Sequence, residues 1–121
     1  MAKHLLIGQN GEMIAIDHLI LSDYTILEKN WRYRKAEIDI IAQKGNLLII
    51  IEVKARSTAY FGNPEDFVSQ QKLDFMVDAA QIYMEQKNLQ CEVRFDVISI
   101  LFNKDNTFQL QHFEDIYFPE W

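Results

Sequence analysis

One stretch limits what this chain can fold into more than any other: Leu47-Leu48-Ile49-Ile50-Ile51, followed at once by Glu52-Val53-Lys54. Five consecutive aliphatic residues, three of them β-branched, read as a strand buried on both faces inside a sheet. The run is far too short to cross a bilayer, which takes roughly 20 apolar residues. Ahead of it lie Gly45-Asn46 and a second strand signal from Ala36 to Gln43, the pattern of a tight hairpin. A two-residue turn there pairs residues whose numbers add to 91. Asp39 then falls directly opposite Glu52, with Cβ atoms about 4.5–5.5 Å apart.

The other elements follow from pattern and punctuation. Residues 5–21 read as a helix, with Ile7, Met13, Ile14, Leu19, Ile20 and Leu21 as its apolar positions, although Gly8 and Gly11 weaken it. Tyr24 to Asn30 reads as a strand. Asn63-Pro64-Glu65-Asp66 supplies a cap, a first-turn proline and two acids, opening a helix that runs to about Asn88. Its core face is Val68, Phe75, Met76, Ala79, Ile82 and Tyr83. Two strands follow, Glu92 to Phe102 and Thr107 to Phe113, around a turn at Asn103 to Asn106. The order α-β-β-β-α-β-β predicts one α/β domain over residues 1–121, a mixed β-sheet flanked by helices.

Composition narrows the class. The chain has 121 residues, 49% hydrophobic and 25% charged, which excludes a disordered or collagen-like protein. One cysteine, Cys91, permits neither an internal disulfide nor a cysteine-based zinc site, and it has no base nearby in sequence. The start shows no signal-peptide pattern, so a cytoplasmic, non-membrane protein is expected. The net charge of −6 argues against a surface that holds phosphates everywhere. The charge is uneven, however. Lys29 to Arg56 carries seven basic and three acidic side chains, +4, against −10 for the remainder. A basic island on an acidic body suits a local anionic partner.

Within that island the chemistry concentrates. Period 2 puts Glu52 and Lys54 on one strand face. Asp39 and Glu52 repel at hairpin distance unless a cation lies between them, which makes the pair a candidate divalent-metal site. The Glu-x-Lys triplet alone is weak evidence, because about every second chain of this composition contains one by chance. Glu37 is either a further acidic ligand or a solvated partner of Lys35 or Arg56. Trp31-Arg32-Tyr33-Arg34-Lys35 interleaves aromatic and basic residues. Trp31 and Tyr33 form either a stacking surface for unpaired bases or the core face of a strand, while Arg32, Arg34 and Lys35, with Arg56 in the loop that follows the aliphatic strand, are candidate phosphate contacts. Lys72, with Gln71, is either another phosphate contact or part of an exposed helix face. Arg94 and Asp96 read as a structural ion pair. His4, His18 and His112 have no ligand spacing, and the aromatic, acidic tail from Phe113 is expected to pack back on the domain.

These residues also form a wider pattern. It runs Gly8-x-x-Gly11-Glu12-x-x-Ala15, Tyr24-x-Ile26-Leu27-x-x-Asn30-x-Arg32 and Glu37-Ile38-Asp39-Ile40-Ile41. It continues with Glu52-Val53-Lys54-x-Arg56, Phe61-Gly62, Pro64, Lys72 and Arg94-Phe95-Asp96. The set resembles the small bacterial YraN-like proteins, predicted endonucleases, over nearly the whole chain. Through them it resembles the PD-(D/E)XK nuclease superfamily and the archaeal Holliday-junction resolvases. Ala36 departs from the family's usual glycine there. The resemblance implies a restriction-endonuclease-like fold and a DNA endonuclease acting on branched or single-stranded DNA. It implies Glu12, Asp39, Glu52 and Lys54 as catalytic residues, and Mg²⁺ or Mn²⁺ held by Asp39, Glu52, the Val53 carbonyl and Glu12. By analogy it also implies a homodimer, and a protein partner in DNA processing would fit the same role. The rival expectation is a non-catalytic nucleic-acid- or partner-binding module that keeps the fold, supported by the negative net charge.

Overall fold

The computed structural model describes residues 3–57 and 70–116, with side chains from residue 10 onward. Helix α1 (Lys3–Leu21) is followed by strands β1 (Thr25–Tyr33), β2 (Ala36–Lys44) and β3 (Leu47–Arg56). Helix α2 (Gln70–Lys87) then leads to β4 (Glu92–Phe102) and β5 (Phe108–Phe113). The strands form one sheet in the order β1-β2-β3-β4-β5. Every neighbouring pair is antiparallel except β3 with β4, which is parallel because α2 crosses between them. The mixed sheet and the expected element order are therefore present. The expected start of the second helix, at Asn63 to Asp66 and with Val68, lies outside the described residues, as do Phe61 and the end of the tail.

The aliphatic run takes the central position, with Leu48, Ile49, Ile50 and Ile51 all fully buried. Leu48 and Ile50 pack toward Met76, Ala79 and Tyr83 of α2, while Ile49 and Ile51 pack toward Ala15 and Leu19 of α1. Burial on both faces explains why the run lacks polar alternation. The hairpin register also holds, from Lys44 opposite Leu47 to Ile40 opposite Ile51. Gly45 takes φ 59° and Asn46 does not, the pattern of a turn with glycine at its first central position. The β1–β2 hairpin turns on Arg34 and Lys35, between the paired residues Tyr33 and Ala36. Arg34 has φ 54°, a left-handed conformation that costs a side chain with a Cβ roughly 1–2 kcal/mol. With no glycine or asparagine to mark that turn, β1 reaches three residues beyond the expected Asn30.

Two corrections concern helix faces. On α1, Gly11, Ala15 and Leu19 are buried, whereas Met13, Ile20 and Leu21 are exposed. Of the expected apolar positions Leu19 is in the core and Ile14 packs against it, whereas the small Gly11 and Ala15, two turns and one turn earlier than Leu19, make the rest of the close contact. On α2, Leu73 and Ala80 join Met76, Ala79 and Tyr83 in the core, while Phe75 and Ile82 are only half-buried.

Gly11 is required by that packing. A Cβ there would lie 2.7 Å from the Cβ of Ala55 on β3, closer than two carbons approach. Gly11→Ala is therefore expected to destabilise by about 1–3 kcal/mol, although alanine favours helix by ~1 kcal/mol. A urea midpoint equal to or above the parent's would overturn the close-approach argument.

Beyond Phe113 the chain returns to the sheet, since Ile116 N–H donates to the Phe95 carbonyl at 2.8 Å. Among the described residues, no helix is long and apolar enough to cross a membrane.

Candidate active site

The β2–β3 ladder ends at Ile40 and Ile51, and the next residue of each strand is an acid. Asp39 does not continue the ladder opposite Glu52 as a simple pair. Its Oδ2 accepts the Val53 backbone N–H at 2.8 Å, so the carboxylate is held against the backbone of β3. Glu52 is 5% exposed and faces α2. Lys54 Nζ lies 3.2 Å from Glu52 Oε1, and Lys72 Nζ of α2 pairs with the same oxygen. Period 2 along β3 produces the first contact, and the packing of α2 produces the second.

These groups line a cleft of about 500 Å³, walled by Glu37, Asp39, Glu52, Val53 and Lys72, with Lys35 at the hairpin end. Burial, then the charge of Glu52, pushes the Asp39 carboxyl up to about 7, opposed by the Val53 N–H. Glu12 adds to that rise, so the acid on α1 is electrostatically coupled to the site. Asn30 Nδ2, on β1, donates to Glu12 Oε2 at 3.4 Å. Two acids that repel in one cleft, each just past the ladder end, form a set of hard oxygen donors. Asp39, Glu52 and a backbone carbonyl such as that of Val53 therefore fit Mg²⁺ or Mn²⁺ by donor chemistry.

The remaining candidates separate. Glu37 pairs with Arg32 at 3.3 Å, with both side chains largely exposed, rather than with Lys35 or Arg56. Arg34 lies over the Tyr33 ring, 5.2 Å from its centroid. Arg56 is exposed, donates to the Ala55 carbonyl, and is not part of the cleft wall. Lys44 lies over the Tyr24 ring, near the Gly45 turn at the other end of the hairpin. The basic island of the sequence is therefore not one patch; Lys35, Lys54 and Lys72 are the cations gathered around the acids.

A second polar cluster lies toward α1. Asp96 is 1% exposed and takes Arg94 Nε and Nη2 at 2.9 and 2.8 Å. His112 Nε2 lies 2.7 Å from Asp96 Oδ2, and His18 Nε2 lies 3.1 Å from His112 Nδ1. Glu114 joins through Arg94 at 3.1 Å, and its carboxylate oxygen, with that of Asp96 and a His112 nitrogen, lies within 4.8 Å of the others. Arg94, 18% exposed, is about as buried as Lys54 beside Glu52, at 17%. The ion pair was legible in the sequence; the histidines were not, because they lie 94 residues apart.

The sequence profile of UPF0102, an uncharacterised protein family, matches residues 11–100. The chain belongs to UPF0102. The matched span holds Glu12, Asp39, Glu52, Lys54 and Lys72, hence the whole acidic cleft. A UPF0102 protein of Christiangramia forsetii is 49% identical over 118 residues, covering 98% of each chain. One from Flavobacterium psychrophilum is 44% identical over 118 residues with the same coverage. One from Bacteroides fragilis is 40% identical over 119 residues, again covering 98% of each chain.

Proposed function

We propose that this UPF0102 protein is a divalent-metal-dependent endonuclease of PD-(D/E)XK type, resolvase-like, hydrolysing phosphodiester bonds in DNA. The observation that carries the reading is the convergence of Asp39 and Glu52 at one ladder end, with Lys54 and Lys72 on the same carboxylate. Asp39, Glu52 and the Val53 carbonyl would hold Mg²⁺ or Mn²⁺, with Glu12 as an outer acid. Bound there, the ion supplies an acidified water and screens phosphate charge.

The chain's own residues do the rest. Val53 N–H fixes the Asp39 carboxylate, so its orientation is set before substrate arrives. Glu52 holds the Lys54 ammonium at 3.2 Å, where it donates to the attacking water or to a phosphoryl oxygen as negative charge grows. Lys72, the more exposed of the two ammonium groups, is placed to exchange Glu52 for a phosphate. Lys35 at the hairpin tip adds positive charge at the mouth.

The test is cleavage of labelled four-way junction, flap, single-stranded and duplex DNA with Mg²⁺, Mn²⁺ or EDTA. Metal-dependent cutting is expected, reduced ~10²–10⁴-fold in Glu52→Ala and Lys54→Ala. The net charge of −6 favours a second reading, a non-catalytic binding module. No cutting of any substrate, with no Mg²⁺ bound, would establish that reading instead. Two basic cleft mouths in a homodimer, or a basic protein partner, would offset the repulsion of duplex DNA.

A further inference from the structure

Next to the acidic cleft lies a second hollow of about 610 Å³, and Lys35, Ala36 and Phe75 wall both. The tip of the β1–β2 hairpin forms one side and α2 the other. The two hollows differ in chemistry. The first holds the buried Glu52, paired with Lys54 and Lys72, and the half-buried Asp39. The second offers the apolar surface of Tyr33, Phe75 and Ile82, with Asp78, Gln81 and Glu85 along its helix side. Its size falls in the range of small-ligand pockets, roughly 300–1,000 Å³.

We infer that this second hollow receives an unpaired base of the DNA strand whose phosphate lies at Asp39 and Glu52, so that the substrate is single-stranded at the cut. The inference rests on the nuclease reading of the adjoining cleft. A base offers ring faces that stack on aromatic and apolar side chains regardless of sequence. Every base also carries an N–H donor on its pairing edge, which the carboxylates of Asp78 and Glu85 and the Gln81 carbonyl can accept. Asp78 and Glu85 repel a phosphate from the helix side, which leaves the backbone to Arg34 and Lys35 on the hairpin side. In a duplex the faces are covered by neighbouring bases and the edge by the partner strand, so a paired nucleotide cannot present either. Arg34 at the hairpin tip also lines the hollow, its guanidinium 5.2 Å from the Tyr33 ring centroid, where it can meet the backbone of the same nucleotide.

The experiment scans 2-aminopurine along a single-stranded oligonucleotide and a matching duplex, with the full chain in Ca²⁺, reading emission and anisotropy. Single strands should bind at least tenfold more tightly than duplex, with emission falling several-fold at one or two positions. Phe75→Leu keeps the apolar volume but removes the ring, and Gln81→Trp fills the hollow from an exposed position. Both should abolish the emission change and bring single-strand affinity down to within threefold of that for duplex, which itself should be little altered. Equal binding of duplex and single strand would overturn the inference, as would a change that both variants leave intact. Wild-type protein that shows the emission change yet cuts nothing in Mg²⁺ sinks the nuclease reading and leaves the base site standing. Cutting without the emission change does the reverse, and absence of DNA binding sinks both.

Discussion

Arg94→Ala is expected to lower the unfolding free energy by about 3–5 kcal/mol, enough to leave a domain of ordinary stability largely unfolded at mild urea concentrations. The reason is what stays behind. Asp96 is 1% exposed, and Arg94 supplies the only cationic fork on both of its oxygens among the described residues. Burial raises the Asp96 carboxyl, but hydrogen bonds from His112, Arg94 and the Asp115 N–H outweigh it and hold it below its ordinary value. The same guanidinium donates to Tyr24 Oη at 2.7 Å and reaches Glu114, so its loss also loosens the returning tail. The double variant Arg94→Ala/Asp96→Asn should recover much of the loss, because a neutral amide needs no cation and still accepts the Asp115 N–H. Equal instability of single and double variants in urea melts would show that packing, not the stranded charge, sets the cost. The pH dependence has a definite sign. With the folded pKa depressed below the ordinary 3.8, the stability from Asp96 is complete above that value. It is lost as pH falls through the lowered one.

Asp39→Asn is expected to do the opposite and stabilise the metal-free protein at alkaline pH. Burial first, and the charge of Glu52 second, raise the Asp39 carboxyl to about 7 from 3.8. A raised acid stabilises the fold while protonated. That contribution is complete below the unfolded value and disappears as pH climbs through about 7. Wild-type protein in EDTA should therefore lose about 1–2 kcal/mol between pH 5 and 8, a discounted figure because the group is only partly buried. That corresponds to roughly 4–8 °C in thermal midpoint. Asparagine still accepts the Val53 N–H but never ionises, so its midpoint should change far less over the same range. Mg²⁺ should restore the wild-type midpoint at pH 8 and release protons at pH 6, and do neither for the variant. An asparagine variant less stable than wild type at pH 8 would mean that the carboxylate is satisfied without a cation.

Both variants bear on how far the amino-acid sequence discloses the molecule. The β2–β3 hairpin was readable to the residue, because a two-residue turn and a two-residue repeat leave one register that buries Leu48 to Ile51. Asp39, Glu52 and Lys54 were readable for the same reason, since all three sit on that hairpin. Asp39's contact with the Val53 N–H was not, because the ladder ends just before it. Lys72 was ambiguous, since nothing in α2 alone says which face meets β3; its pairing with Glu52 comes from packing. Glu12 came from family resemblance alone. The apolar positions of α1 marked Leu19 but not Gly11 and Ala15, which make contact through smallness that a hydrophobicity pattern scores as absence. The histidine contacts were invisible because His18, Asp96 and His112 meet only once α1, β4 and β5 are assembled.

The single parallel pairing has a consequence for the order of folding. Strands β1 to β3 form a meander closed by two-residue turns, whereas β4 must return past a crossover that begins after Arg56 and ends before Glu92. Short-range closure is cheap and fast, while the long closure loses entropy before any contact rewards it. The two acids of the cleft are thus assembled by the quick step, and Lys72, on the crossover, joins them by the slow one. Substitutions in β2 and β3 should chiefly slow folding, and those at Arg94 and Asp96 should chiefly speed unfolding. The buried cluster on β4 then acts as a latch on the last strands to dock, setting how long the finished molecule persists.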